Sequence, residues 1–194
     1  FCNMCRKTKN SQALQSRRMI TEALLRLMKK EPYVNITITQ ICLEAQVVRQ
    51  TFYRNYHSKQ EVLECFVMQL IDEYQSKYAP GNDMQHNLEQ LFTYIPFSQE
   101  LLLLLKQNGL FFLLEDAFSQ YLDTATEKIV FMELLGSSRY HCYLKDFIIF
   151  TMLSILSRWI DNGFSETPAE LSLIAQHFFS GTDPLYNQPG PHKF

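Results

Sequence analysis

The stretch Thr37–Lys59, TITQICLEAQVVRQTFYRNYHSK, decides how this chain folds. Thr37 is followed three residues later by Gln40, which is the spacing of a capping box. In that motif the threonine hydroxyl accepts a hydrogen bond from a free backbone N–H of the helix. The glutamine side chain in turn accepts one from the backbone N–H of the threonine. The apolar residues that come next define the inner face of a helix of about two turns: Ile41, Cys42 and Ala45.

A second short helix follows the first after a turn at Gln46-Val47. We predict this helix over Val48–Tyr56, with Phe52 and Tyr56 facing inward. Its outward face presents hydrogen-bonding side chains: Arg49, Gln50, Thr51, Tyr53, Arg54 and Asn55. These side chains suit base edges and phosphate oxygens, and a single helix is slim enough for the major groove of DNA. The pattern therefore predicts a DNA-binding helix-turn-helix.

The next helix begins with a second sequence of capping-box form, Ser58-x-x-Glu61. Lys59 falls in its first turn, where a cation opposes the helix dipole. A bound phosphate would offset that cost, because helix N-termini attract anions. We therefore expect Lys59 to contact the DNA backbone.

The same stretch resembles the N-terminal domain of the tetracycline-repressor (TetR/AcrR) family of transcriptional regulators. The family pattern runs roughly T-V-x-x-I-A-x-x-A-G-V-S-x-x-T-[FL]-Y-x-[HY]-F-x-[SN]-K. This chain matches it at Thr37, Ile41, Ala45, Val47, Thr51, Phe52, Tyr53, Tyr56, Ser58 and Lys59. It departs at Gln46, where the family has a turn glycine, and at Val48, where a serine usually caps the recognition helix. A left-handed Gln46 is strained, and Val48 removes a cap worth about 1 kcal/mol.

The resemblance implies an all-α protein with an N-terminal helix-turn-helix domain and a helical ligand-binding and dimerisation domain. We place the first domain and its connecting helix at residues 1–80 and the second at 81–194. The predicted DNA-binding residues are Thr37, Thr39, Arg49, Gln50, Thr51, Tyr53, Arg54, Asn55 and Lys59. Among them, Arg49, Gln50 and Thr51 are expected to read bases, while Tyr53 and Lys59 hold phosphates.

Helical spacing of apolar residues over the rest of the chain also predicts an all-α protein. Two long helices are expected at Ser11–Lys30 and Lys59–Lys77, and the run Ala79–Asp83 breaks the chain near residue 80. In the remainder of the chain, which we call the body, the spacing predicts five helices: Met84–Ile95, Ser98–Gln107, Leu110–Leu135, Arg139–Asn162 and Thr167–Ser180. Gly109 and Gly163 are expected as C-terminal stops. Thr167-Pro168-x-Glu170 has the form of a capping box.

The fourth body helix is apolar nearly all round, which predicts that a partner covers part of it. The resemblance implies that this partner is a second copy, in a homodimer formed by the last two long helices. The predicted interface residues are Phe150, Leu153, Trp159, Ile174 and Phe178. The resemblance also implies a small-molecule effector bound in the body. Its predicted lining is Phe111, Phe118, Tyr121, Tyr143 and Phe147.

The charges of the chain are divided unevenly along its length. Residues 1–60 contain 11 Lys/Arg and 3 Asp/Glu, a net charge of +8, whereas residues 61–194 contain 7 and 17, a net charge of −10. A basic N-terminal third on an acidic body fits one part that attracts phosphate and a remainder that does not. An uneven surface charge without a role is the alternative reading.

Several other function classes find no support in the sequence. It contains no Gly-rich phosphate loop, no H-E-x-x-H and no G-x-S-x-G motif, so an enzyme is not expected. Cys2-x-x-Cys5 lacks a second pair of ligands, so neither a metal nor another cofactor is expected. The apolar runs are shorter than a membrane span requires. The five scattered cysteines and the lack of a secretory signal favour a cytoplasmic location.

These patterns together predict a homodimeric regulator that binds double-stranded operator DNA. We interpret it as a repressor that a small-molecule effector releases from its operator. The alternative is a helical interaction protein, or a co-activator that works through a protein partner, with weakened DNA binding. Only Gln46 and Val48 support that alternative.

Overall fold

The computed structural model describes residues 11–78, 84–95, 99–125 and 141–180. Over these residues the chain is helical and contains no strand, so the all-α prediction is confirmed. The helices are α1 Ser11–Met28, α2 Ile38–Glu44, α3 Arg49–Asn55, α4 Lys59–Lys77, α5 Met84–Tyr94, α6 Gln99–Gln107, α7 Phe112–Ala125, α8 His141–Asp161 and α9 Pro168–Ser180. A short 3-10 turn, Tyr33–Asn35, lies between α1 and α2.

Local sequence signals set most of these helix ends. Gly109 and Gly163 take φ angles of +68° and +65°, as the predicted C-terminal stops require. At the start of α9, the Thr167 N–H donates to the Glu170 carboxylate at 2.7 Å, and the Glu170 N–H donates to Thr167 Oγ1 at 3.3 Å. The predicted capping box is therefore present. The predicted continuation of α7 to Leu135 lies outside the described residues.

The described residues form two compact units. The first comprises the described part of Phe1–Ser76 together with Gln99–Ala117. Its interior is built from α1 to α4 and contains fully buried side chains: Ile20, Leu24, Ile36, Ile41, Phe52, Val62 and Leu63. Helix α6 packs against α1 and buries Leu101, Leu102, Leu104 and Leu105. The sequence predicted a single domain boundary near residue 80. It did not predict that α6, which follows that boundary, packs with the N-terminal helices.

The second unit comprises Lys77–Ser98 and the described part of Phe118–Phe194. Helix α9 packs against both α5 and α8. The Phe147 and Phe179 rings meet at 6.2 Å near the start of α8 and the end of α9. At the opposite end of the pair, the Trp159 indole N–H donates to the Glu166 carbonyl at 3.0 Å. The two helices therefore run antiparallel.

Trp159 itself is only 2% exposed within the second unit. Its ring makes edge contacts with Phe92 at 6.4 Å and Phe164 at 5.1 Å. Trp159 was predicted to lie in a dimer interface, but its own chain already surrounds it. The residue is part of the interior of the unit.

A membrane-spanning helix and a cluster of metal ligands are both absent from residues 11–78, 84–95, 99–125 and 141–180. None of the helices in these ranges is long and apolar enough to cross a membrane. Within the same ranges, no group of three or more His, Cys, Asp or Glu side chains is placed to hold a metal ion.

Candidate nucleic-acid interface

The capping box that begins α2 is formed as predicted. The Thr37 N–H donates to Gln40 Oε1 at 2.8 Å, and the Gln40 N–H donates to Thr37 Oγ1 at 3.2 Å. The Gln40 amide nitrogen also donates to the Glu31 carboxylate at 2.9 Å. These bonds satisfy backbone donors at the helix start and tie it to the residues that precede it.

The turn between α2 and α3 contains the strain that the missing glycine predicts. Gln46 takes a φ of +55°, in the left-handed region that favours glycine. The Val47 N–H closes the turn by donating to the Cys42 carbonyl at 2.9 Å. Val48 occupies the N-cap of α3 without a side-chain cap bond, and its side chain is exposed. The turn therefore forms without either of the two residues that would ease it.

Two aromatic side chains hold α3 against the rest of the first unit. Phe52 is fully buried, and its ring contacts that of buried Tyr56 at 6.0 Å. The Tyr56 hydroxyl is hydrogen-bonded to Thr21 of α1. The Arg17 guanidinium of α1 lies 5.6 Å from the centre of the Tyr56 ring. Both predicted inward residues of α3 therefore point inward, and this fixes which face of the helix points out.

The outward face of α3 presents exposed polar side chains at i, i+1, i+4 and i+5: Arg49, Gln50, Tyr53 and Arg54. The Arg49 guanidinium lies 5.9 Å from the centre of the Tyr53 ring, and its Nη2 donates to the Tyr53 hydroxyl at 3.5 Å. That hydrogen bond raises the pKa of Arg49, so the side chain stays cationic. Thr39, on α2, is exposed as well.

The other predicted DNA-binding residues already have partners within the protein. The Thr37 hydroxyl belongs to the capping box. Thr51 and Asn55 are half-buried, and the Asn55 amide nitrogen donates to the Thr51 carbonyl at 2.8 Å. Of the six side chains predicted on the outward face of α3, four are exposed and two are half-buried, a difference that spacing along the helix did not predict.

Lys59 makes contacts that the sequence did not predict. Its ammonium donates to the carbonyls of Tyr33 at 2.6 Å, Val34 at 3.2 Å and Ile36 at 2.7 Å. It also lies 4.3 Å from the centre of the Tyr33 ring. Partial burial lowers the pKa of Lys59. Burial and the nearby Glu64 carboxylate raise the pKa of Tyr33 to about 12, so the ring is neutral.

The start of α4 forms half of its predicted capping box. The Glu61 N–H donates to Ser58 Oγ at 3.1 Å. The Glu61 carboxylate, which is buried, accepts the N–H of His57, one residue earlier than a capping box requires. The position of Lys59 in this first turn is therefore well defined, and its ammonium points to the segment before α2.

The predicted pocket residues are divided between the two units. Half-buried Phe111 belongs to the first unit, whereas Phe118, Tyr121, Tyr143 and Phe147 belong to the second. Phe118 and Tyr121 are half-buried, and Tyr143 and Phe147 are exposed. A common pocket for these five side chains stays a prediction.

Three of the predicted interface residues lie on an exposed apolar surface of the second unit. Phe150 is 54% exposed and Phe178 is 60% exposed, and Ile174 is exposed as well. The exposed large apolar side chains of these two helices are together called the aromatic face of α8 and α9: Tyr143, Phe147, Phe150, Leu173, Ile174 and Phe178. Leu153, like Trp159, is buried within the unit. An interface would therefore be built from the aromatic face.

No protein-family model matches this sequence, and no curated protein matches it. Among solved structures, the chain is similar to one described as the dihydroxyacetone kinase operon activator DhaS. The two are 18% identical, the match covers 86% of this chain and 94% of that chain, and the TM-score is 0.56. At this identity the likeness shows a shared all-helical fold.

Proposed function

We propose that this protein is a sequence-specific DNA-binding transcription regulator of the TetR type. The outward face of α3 is the observation that supports this most strongly. Four exposed side chains able to donate hydrogen bonds, two of them cations, lie side by side on a helix whose other face is buried. This arrangement suits a recognition helix in the major groove. The fold shared with a protein named as an operon activator is consistent with it.

Within this function we assign base reading to Arg49 and Gln50. Arginine pairs well with guanine and glutamine with adenine, through two hydrogen bonds each. We propose that Tyr53, Arg54 and Thr39, which are exposed, contact phosphates beside these bases. We propose that Thr51 and Asn55 contact DNA at the edge of the same surface, and that Thr37 contacts DNA from the start of α2. Lys59 is proposed to contact phosphate only if it exchanges some of its bonds to backbone carbonyls.

We further propose that the protein acts as a homodimer through the aromatic face of α8 and α9. Six exposed large apolar side chains on two packed helices are more typical of an interface than of a monomer's free surface. A single recognition helix reads only a few base pairs, so two helices related by a two-fold axis would supply the specificity of an operator. The expected operator is therefore nearly palindromic.

Release from DNA by a small-molecule effector is part of the proposal. An effector weakens DNA binding only if it prefers a conformation in which the recognition helices are misplaced. Helix α4 follows the helix-turn-helix directly and runs to Lys77, where the second unit begins. We propose that it carries the change, with a coupling of about 1–3 kcal/mol. Repression is the simplest outcome of such release.

A second candidate is an activator, or a co-activator with weakened DNA binding. Two observations favour it: the strained Gln46 and uncapped Val48 in the turn before α3, and the name of the structural neighbour, an operon activator. The two candidates differ in what happens after DNA is bound. Transcription in vitro from a promoter containing the binding site would separate them, because a repressor lowers the transcript level and an activator raises it.

The experiment that tests DNA binding is selection of bound duplexes from a random pool, followed by gel shifts on the enriched sequence. We expect a nearly palindromic site. Arg49→Ala should weaken binding about tenfold to hundredfold and relax the preference at one base pair of each half-site. Arg158→Ala, which removes an exposed cation from α8 in the second unit, is the matched control and should leave binding unchanged. Enrichment of no sequence, with equally weak binding to all duplexes, would remove the basis of the proposal.

A further inference from the structure

The segment Glu31–Ile36, which connects α1 to α2, is hydrogen-bonded by side chains from three other parts of the chain. We call it the connector. Gln40 of α2 donates to the Glu31 carboxylate, and Lys59 of α4 donates to three of the connector's carbonyls. The third partner is Asn108, which directly follows α6 and lies 75 residues further along the chain than Tyr33. Of the three partners, Asn108 lies furthest from the connector along the chain.

Asn108 uses both ends of its carboxamide. Its Oδ1 accepts the Tyr33 backbone N–H at 2.7 Å, and its Nδ2 donates to the Leu104 carbonyl at 2.8 Å. The second bond fixes which end of the amide faces Tyr33, because a carbonyl accepts only from the nitrogen. The side chain is half-buried. The contact is therefore directional and partly shielded from water.

The backbone around Asn108 is itself well fixed. Leu104 and Leu105, in the last turns of α6, are buried. The Gly109 N–H donates to the Lys106 carbonyl at 3.2 Å, and the Leu110 N–H donates to the Leu105 carbonyl at 2.8 Å. Gly109 adopts the left-handed conformation that ends the helix. Asn108 is thus presented to the connector from the end of a packed helix.

We propose that Asn108 is a positioning residue for the helix-turn-helix. It fixes the connector at Tyr33, and the connector leads directly into the Thr37 capping box and α2. A displacement of the C-terminal end of α6 would therefore shift the start of α2 through this bond. The end of α6 is then a second place, besides α4, from which the DNA-reading helices can be displaced. The part of this inference that concerns DNA rests on the proposed function.

A different role would involve the same atoms. Asn108 could serve only to cap α6, through its bond to the Leu104 carbonyl. In that case its removal would loosen the last turn of α6 and leave the connector unchanged. The two roles predict different sets of perturbed amides, so amide hydrogen exchange measured residue by residue by NMR distinguishes them.

The first arm of the test compares Asn108→Ala with Asn108→Asp. Alanine removes the acceptor for the Tyr33 N–H, and we expect that amide to exchange about fivefold to tenfold faster. Aspartate keeps an acceptor oxygen, so exchange at Tyr33 should stay near that of the unchanged protein. Gln107→Ala, at the exposed neighbouring position, is the matched control. Should Asn108→Ala fail to fold, Asn108→Leu keeps the size of the side chain without an acceptor.

Faster exchange confined to the end of α6, with Tyr33 unaffected in the Ala or Leu variant, would overturn the proposal. A uniform increase at every amide of the first unit would also overturn it, since that reports general destabilisation. The exchange measurement needs no DNA. It therefore decides whether Asn108 holds the connector, whatever becomes of the proposed function.

The second arm measures affinity for the duplex selected with the unchanged protein. We expect Asn108→Ala to weaken binding about threefold to tenfold and Asn108→Asp to restore most of it. Faster exchange at Tyr33 with unchanged DNA affinity would show that the connector does not position the helix-turn-helix, and would overturn this proposal. Failure of the unchanged protein to select any duplex would instead count against the proposed function.

Discussion

The outward faces of α3 and of the α8–α9 pair differ in chemistry, although both lie on helices whose other side is packed inside a unit. The α3 face exposes Arg49, Gln50, Tyr53 and Arg54. The aromatic face of α8 and α9 exposes six apolar side chains. Polar donors are stable in water and suit nucleic acid, whereas exposed aromatic rings gain free energy when a partner covers them. The two faces therefore point to two kinds of partner.

The interiors behind these faces are alike. Phe52, on the inner face of α3, is fully buried, and Phe92 of α5 and Trp159 of α8 are buried in the second unit. Each unit thus has buried aromatic side chains in its interior, and the two units differ at the exposed faces of these helices. Variants at buried and exposed aromatic positions can therefore test whether the aromatic face is a surface in need of a partner or only part of a core.

The largest effect is expected for Phe52→Ala. The change leaves a cavity at the inner face of α3 and should lower the free energy of unfolding by about 3–5 kcal/mol. Phe178→Ala removes a ring of similar size that is 60% exposed. It should cost much less at protein concentrations where the chain is monomeric, and more as the concentration rises. Urea denaturation over a range of protein concentrations measures both. Equal losses at low concentration would mean that Phe178 is core.

Phe150→Glu should have the next largest effect, on assembly. It places a carboxylate on the aromatic face, and in a dimer formed through that face the charge would be buried without a partner. We expect the dissociation constant of the homodimer to rise at least about hundredfold, or about 2.7 kcal/mol. Sedimentation equilibrium gives this value. Leu103→Glu, at an exposed apolar position on α6 of the first unit, is the control. If the unchanged protein is monomeric at micromolar concentration and stays so with DNA, the homodimer is refuted.

Lys59→Ala should cost about 1–3 kcal/mol in stability, because three backbone carbonyls lose the cation that binds them. A role at a phosphate predicts a further change. The salt dependence of DNA binding would become shallower by about one unit per subunit, equally for all sequences. Gel shifts at several salt concentrations separate the two roles. A lower stability with an unchanged salt slope would assign Lys59 to the connector alone.

The helix-turn-helix could be predicted closely because its signals are local. The Thr37–Gln40 capping box, the left-handed Gln46 and the inward Phe52 all follow from spacing within one or two helical turns. The contacts of Lys59 and Asn108 could not be predicted in the same way. They join residues 23 to 75 positions apart, and they depend on how whole helices pack.

The exposed residues of the aromatic face could not be predicted from the sequence either, because they too depend on how helices pack. Its apolar composition predicted that something covers α8, but composition does not reveal which side of a helix its own chain already covers. The structure separates exposed Phe150, Ile174 and Phe178 from buried Leu153 and Trp159. The side that α5 and α9 cover is set by tertiary packing, which periodicity within a single helix cannot distinguish when nearly every position is apolar.

The smallest effect is expected for Glu170→Gln, which tests whether the start of α9 depends on pH. The Thr167 N–H and hydroxyl both donate to the Glu170 carboxylate, at 2.7 and 2.8 Å. These two hydrogen bonds hold the pKa of Glu170 below its ordinary value, and the one from the Thr167 N–H has the larger effect. A carboxyl whose pKa is lower in the folded state contributes stability above its unfolded pKa and loses it as pH falls through the folded value.

Glutamine keeps an acceptor oxygen for the capping box but cannot titrate. The Gln variant should therefore be slightly less stable than the unchanged protein at pH 6, where the carboxylate makes the stronger bonds, and the difference should shrink as pH falls. Urea denaturation between pH 3 and pH 6 measures this. Glu89→Gln, at an exposed carboxylate on α5 of the same unit, controls for the change in net charge. Parallel pH profiles for the unchanged protein and the Glu170 variant would show that the Glu170 charge contributes nothing to this cap.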